Sequence, residues 1–161
     1  MIRPMIPEDS SAATQLVVLA GLFSAEETEL VQSLLTDYFA ANEAAGHGCF
    51  VDDDDGIVGI AYYAPKAATD RTWELLMLAV KPGDQGRGRG AALVGTVEQT
   101  LQATGQRLLV IETSATAAYD RTRIFYRQCG YEEEAKVRDY FAAGDDMVIF
   151  RKALMPMNEG A

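Results

Sequence analysis

Cysteine and histidine are scarce in this chain of 161 residues, which holds two cysteines, Cys49 and Cys129, and one histidine, His47. The cysteines have neither metal-ligand nor redox spacing, which predicts a reduced, cytoplasmic protein with no metal. His47 lies between glycines in Ala45-Gly46-His47-Gly48 and reads as a loop residue rather than a ligand. Long apolar runs are missing too. None approaches the roughly 20 residues of a membrane span, and Met1-Ile2-Arg3-Pro4 lacks the pattern of a signal peptide, so no membrane partner is expected. Positive charge is short: 14 Lys and Arg stand against 24 Asp and Glu, a net charge of −10. That deficit argues against nucleic acid as a partner and favours a cationic one. Asp52-Asp53-Asp54-Asp55 has no distal glutamate at EF-hand spacing, so it reads as a solvated turn rather than a calcium loop.

The content is otherwise that of a small folded domain, with 48% hydrophobic residues and a length that fits one core. Residues 1–6 suit a short strand. Ser10 opens a helix ending near Gly21. Ser24 to Glu27 forms a capping box for a second helix, with Leu30, Leu34, Leu35 and Phe39 at helical spacing. Strands at 49–51 and 57–64 flank an Asp52–Gly56 hairpin turn. Strand 73–80, a helix from 91 to 101 and strand 107–113 form a parallel pair with a helical crossover. A helix near 119–129 ends at Gly130. Strands at 131–140 and 147–152 follow. The expected fold is α/β (α+β): a mixed, mostly antiparallel sheet with a central parallel strand pair, flanked by helices. One domain is expected over 1–155, with a frayed tail at 156–161.

The chemistry concentrates in Val80-Lys81-Pro82-Gly83-Asp84-Gln85-Gly86-Arg87-Gly88-Arg89-Gly90, between a strand and a helix. Glycines let a backbone approach a ligand closely. Free N–H groups and the dipole at a helix start favour an anion. A Walker A loop is excluded, because Ala91-Ala92 stands where Lys-Ser/Thr is required. Gly86, Gly88 and Ala91 satisfy G-x-G-x-x-G/A literally, which leaves an NAD-binding oxidoreductase as a rival. Against it, Gly86 lies well beyond the strand end, and too few residues follow Glu112 for a doubly wound sheet.

Val80-x-Pro82-x-x-Gln85-x-x-Gly88-x-Gly90 resembles the acetyl-CoA loop of the GNAT superfamily of N-acetyltransferases. Tyr119 to Tyr131, with Phe125-Tyr126-Arg127-Gln128-Cys129-Gly130-Tyr131, is similar to that family's F-Y-x-x-x-G-F/Y segment. One helix and one strand separate the two motifs, as in the family, and the resemblance covers about residues 50–153. It implies acetyl transfer from acetyl-CoA, without a metal, to a primary amine on a small molecule or a peptide N-terminus. A non-catalytic acetyl-CoA sensor on the same fold is the alternative.

The resemblance also implies roles for individual residues. Gln85, Gly86, Arg87, Gly88, Arg89, Gly90 and Ala91 would hold the CoA phosphates, chiefly through backbone N–H groups. The backbone of Leu78, Ala79 and Val80 would pair with the pantetheine arm like an added strand, which requires the sheet to open beside it. Tyr126 aligns with the general acid that protonates the leaving thiolate. Tyr119 stands where many relatives carry a CoA-contacting asparagine, and extra residues around 115–118 reshape that loop. For the general base, Glu74 in the central strand and Glu112 at the end of the next both match positions used by relatives; water is the third choice. Acceptor specificity would come from the helices before residue 45 and the loop near 140–146. Dimers are frequent in the family, so a homodimer is compatible with the resemblance.

Overall fold

The structure is a computed structural model, described here for residues 1–154; the tail expected at 156–161 lies outside them. Seven strands form one sheet in the order β1-β2-β3-β4-β5-β7-β6. They are β1 (Ile2–Pro4), β2 (Gly48–Asp53), β3 (Ile57–Pro65), β4 (Thr72–Val80), β5 (Leu108–Ser114), β6 (Glu132–Ala142) and β7 (Asp145–Ala153). The helices are α1 (Ser10–Leu19), α2 (Thr28–Asp37), α3 (Arg89–Ala103) and α4 (Asp120–Gln128). The pairs β1–β2, β2–β3, β5–β7 and β6–β7 are antiparallel, and β4–β5 is parallel. This is the mixed sheet with flanking helices that the sequence implies.

The chain forms two compact units. One comprises Met1–Pro65 and Leu76–Gln99; the other comprises Lys66–Leu75 and the described residues from Thr100 on. In the first unit, α1 and α2 pack with β2 and β3 around Leu16, Val17, Val31, Leu35, Val51 and Ile60, all at most 2% exposed. Each such side chain contributes about 1.5–3 kcal/mol of burial free energy. The α2 stripe differs from the expected one. Val31, Leu35 and Tyr38 are buried, Leu34 and Phe39 are partly covered, and Leu30 is exposed. The i, i+4, i+7 series that starts at Val31 sets the face. The cap at Ser24 forms as expected, with the Glu27 carboxylate accepting from the Ser24 N–H at 2.8 Å.

The aspartate run behaves differently from a solvated turn. β2 runs on through Asp53, so the turn is confined to Asp54–Gly56, with Asp55 at φ 55° and Gly56 at φ 123°. Asp52 is buried, and Asp53 pairs with Arg3 at 2.9 Å. A buried carboxylate requires a cationic partner, and the partner of Asp52 is part of the glycine loop.

In the second unit, β5 pairs with β7 along its whole length. Its register with β4 covers only Thr72–Glu74 against Leu108–Val110, although β4 runs to Val80 and β5 to Ser114.

Candidate active site

The glycine loop is built by its own side chains. After β4, the Lys81 N–H donates to the Val58 carbonyl at 2.8 Å. Pro82–Asp84 makes one 3-10 turn. The Gln85 side-chain amide then reaches back to donate to the Val80 carbonyl at 2.9 Å, closing the loop onto the strand end. Gly86 and Gly88 follow at φ +73° and +80°, and a Cβ on either would meet no atom within 4 Å. These glycines are required by backbone conformation and by the open space beside them, not by protein packing. The Gly88 carbonyl accepts from the Ala92 N–H at 3.0 Å, which starts α3 at Arg89. The first N–H groups of that helix have no partner within it and present partial positive charge. An open cradle of this kind fits a phosphate-bearing group such as the pyrophosphate of CoA.

The two loop arginines separate. Arg87 is 68% exposed, and Asp84 lies 3.9 Å from it. Arg89 turns inward. It donates to Asp52 at 2.8 Å, also holds Asp54, and leaves its buried Nε without a hydrogen bond. Burial would raise the Asp52 carboxyl, but the bonds from Arg89 and from the Met1 amino group overcome it and hold the group below its ordinary range. The Arg89 side chain therefore braces the loop on β2, and its backbone N–H remains for a ligand. No local pattern marks this ion pair, because Asp52 is indistinguishable from its neighbours in the run.

Tyr126 is placed by a helix end. Gly130, at φ +91°, lies just past Cys129, the C-cap of α4. The Gly130 N–H donates to the Arg127 carbonyl and the Tyr131 N–H to the Tyr126 carbonyl, both at 3.0 Å. This is a Schellman cap, completed by apolar contact between its flanking residues. Here the contact is the Tyr126 and Tyr131 rings, with centroids 6.0 Å apart. Phe150 closes over Tyr126 at 5.8 Å. Tyr126 is only 6% exposed, and burial, followed by the nearby Cys129, pushes its phenol well up. The phenol therefore stays protonated over the whole neutral range, although the same burial makes it a weaker acid than a free tyrosine.

The loop before α4 is pinned by Arg123, which donates to the carbonyls of Ser114 (2.7 Å) and Thr116 (2.9 Å) and pairs with Asp120. These bonds tie the Ser114–Thr116 backbone, just ahead of Tyr119, to α4.

The two glutamates come together. Glu74 is in register with Val110 across the parallel pair, and Glu112 lies two residues further on. Side chains in register, and those two apart on a strand, share a face. Glu74 is buried and accepts from Lys66 Nζ at 3.1 Å. Glu112 accepts from the Tyr140 hydroxyl at 3.5 Å. Burial, and then the charge of Glu74, raise the Glu112 carboxyl above its ordinary value, against the opposing pull of Lys66 and Tyr140.

Lys66 and Tyr140 were not singled out from the sequence. Tyr140 is presented by a bulge in β6, where the register with β7 shifts between Val137 and Ala142. Asp139 stands there at φ +53°. The Asp146 carboxylate accepts from the Asp139 N–H (2.9 Å), and the Asp139 carboxylate accepts from the Gly144 N–H (2.8 Å). Bulges of this kind re-aim a side chain. Asp139 and Asp146 thus hold backbone, while Asp145 accepts from the Ser114 hydroxyl.

A family model described as an acetyltransferase (GNAT) domain matches residues 45–133. Among solved structures, a GNAT-family protein from Desulfovibrio desulfuricans is 34% identical, with 96% of this chain and 99% of that chain covered and a TM-score of 0.89. A Salmonella typhimurium protein solved with acetyl-CoA is 20% identical, covers 97% of this chain and 94% of its own, and has a TM-score of 0.80. The Escherichia coli ribosomal-protein-S18-alanine N-acetyltransferase is 21% identical, with 100% and 97% covered and a TM-score of 0.77. Comparison with curated proteins gives no match. Among the described residues, no helix is long and apolar enough to cross a membrane. The chain belongs to the GNAT acetyltransferase family.

Proposed function

We propose that this protein transfers the acetyl group of acetyl-CoA to a primary amine, with Glu112 as general base and Tyr126 as general acid. The observation that carries this reading is the carboxylate pair on the β4–β5 face, in which Glu112 has a raised proton affinity. An amine acceptor needs such a group. An alkylamine of pKa about 10.4 is neutral in roughly 1 molecule in 2,500 at pH 7, a cost of about 4.6 kcal/mol. A carboxylate nearer neutrality than an ordinary one accepts that proton more readily.

Acetyl-CoA, when bound, supplies an acyl group already activated as a thioester. The backbone N–H groups of Gly86 to Ala91 would hold its phosphates. Exposed Arg87 adds charge there, while Gln85 and Arg89 support the loop from beneath. In this reading the backbone of Leu78 to Val80 would pair with the pantetheine arm like an added strand. Glu112 would take the proton from the acceptor ammonium, the freed amine would form the C–N bond as the C–S bond breaks, Tyr126 would donate to the departing thiolate, and the proton that the nitrogen sheds on becoming an amide would restore the phenol. Tyr119, directly before α4, would contact CoA from there. The acceptor is a small molecule or a peptide N-terminus, and the net charge of −10 favours a cation.

The test is release of free thiol from acetyl-CoA across a panel of amines. Turnover with at least one amine, lost in Tyr126→Phe, is expected. If CoA binds by calorimetry but no amine yields thiol, the protein is an acetyl-CoA sensor. Thermal stabilisation by NAD and not by CoA would return the loop to the dinucleotide reading.

A further inference from the structure

Lys66 lies outside both motifs, yet its place is strongly determined. It follows the last residue of β3, and the turn to β4 is tied at its backbone. The Lys66 N–H donates to the Thr72 carbonyl at 2.8 Å. The Lys66 carbonyl accepts from the Thr69 hydroxyl at 2.8 Å, and that hydroxyl also accepts from the Thr72 N–H at 3.3 Å. Ala68 and Arg71 take up the reversal at φ 60° and 55°. Two residues in the left-handed region are a cost that the surrounding bonds must offset. The result is an ammonium group on Glu74, a side chain only 11% exposed.

The charges facing Glu112 can be named element by element. β4 contributes Glu74, the turn contributes Lys66, and β6 contributes Tyr140. On β7 the residue opposite Glu112 is apolar Ile149; Arg151, opposite Val110, is drawn towards Glu132 at 4.0 Å. Lys66 is thus the cation that acts on both carboxylates, with its hydrogen bond on Glu74. Two adjacent carboxylates repel when both are ionised, so one of them tends to hold a proton.

We propose that Lys66 is a positioning residue of this site: its ammonium holds the Glu74 carboxyl group by a hydrogen bond and leaves Glu112 as the member of the pair that exchanges a proton with the acceptor. This rests on the reading of Glu112 as the base. It also explains why a second glutamate stands beside the base without competing for its role. The turn that positions Lys66 is held through backbone and Thr69, so replacing the side chain leaves the turn bonds intact.

The test is a carboxyl-carbon NMR titration of the full chain, with Glu112 assigned through Glu112→Gln, in the wild type, Lys66→Met and Lys66→Arg. It requires no substrate. The Glu112 midpoint should shift upward in Lys66→Met, where the pair has lost its cation, and return close to the wild-type value in Lys66→Arg. With a turned-over amine, the acid limb of kcat/KM should move the same way, while KM for acetyl-CoA stays unchanged. An unmoved Glu112 midpoint in Lys66→Met, or an equal shift in Lys66→Arg, would overturn the proposal and leave Lys66 a surface ion pair. Failure of the base reading is a separate result: Glu112→Gln would keep the wild-type rate and acid limb, whatever the titration gives.

Discussion

Tyr126 and Glu112 occupy opposite ends of the proton balance, and each can be tested by removing one functional group. Tyr126→Phe keeps the ring packed among Phe125, Tyr131 and Phe150 but deletes the proton. Turnover should fall by about 10²–10⁴ while CoA affinity measured by calorimetry is unchanged. A mutant with the wild-type rate would make the tyrosine a packing residue only. For the base, Glu112→Gln should lose activity near pH 7 and recover partly at pH 9–10, where solvent deprotonates more of the amine. Glu74→Gln should instead lower activity with little recovery at high pH, because it removes the partner of Lys66 rather than the proton acceptor. The reverse pattern would make Glu74 the base. From sequence both were candidates, with Glu74 placed ahead of Glu112. Strand alternation put Glu74 on the face opposite Leu75 and Met77, but nothing in the chain's order showed that Lys66 engages it or that Tyr140 reaches Glu112. Both contacts join residues far apart in sequence, and local pattern carries no such information.

At the scale of elements, legibility follows from how locally each element is determined. The β4–loop–α3 unit could be read because alternation, glycines and helical period lie in one continuous segment. The α4 cap could be read from Gly130 alone, since a left-handed residue at a helix end is a local requirement. The α2 face was off by a residue, because Leu30 and Val31 are both apolar and only packing against the sheet distinguishes them. Arg89 was expected on the phosphates, and its side chain instead braces the loop. The loop's own prediction concerns Gly88→Val. A Cβ there enters open space rather than protein, at a cost in backbone strain of about 1–2 kcal/mol for φ near +80°. CoA affinity should fall at least tenfold, about 1.4 kcal/mol, in a protein whose circular dichroism is unchanged. Gly83→Val, in the same loop but free of positive φ and also facing open space, should bind CoA almost normally. Equal loss in both variants would mean that general disruption of the loop, not filling of a cradle, reduces affinity.

For the whole molecule, a net charge of −10 leaves stability sensitive to pH, and its carboxylates act in two directions. Asp9, bound by Arg3, and Asp52, bound by Arg89, are held below their ordinary range. Groups with a depressed folded-state pKa stabilise the native state fully above the unfolded value of about 3.9, and that stability is lost as pH falls through the folded values. Glu112 has the opposite sign. Its raised folded-state pKa means that ionising it costs the native state more than the unfolded chain, beginning as pH rises through the unfolded value of about 4.3 and complete above the folded one. Thermal unfolding of Asp52→Asn and Glu112→Gln from pH 3 to pH 8 should therefore diverge. Asp52→Asn should lower Tm at pH 7, with the difference from the wild type shrinking in acid. Glu112→Gln should raise Tm at pH 7, the gain vanishing below about pH 4, even as it removes activity. A group that costs stability where the protein works is expected of a site selected for proton transfer rather than for folding. A Tm for Glu112→Gln at or below the wild type at pH 7 would instead make Glu112 a stabilising partner of Lys66 and Tyr140, and would count against its role as the base.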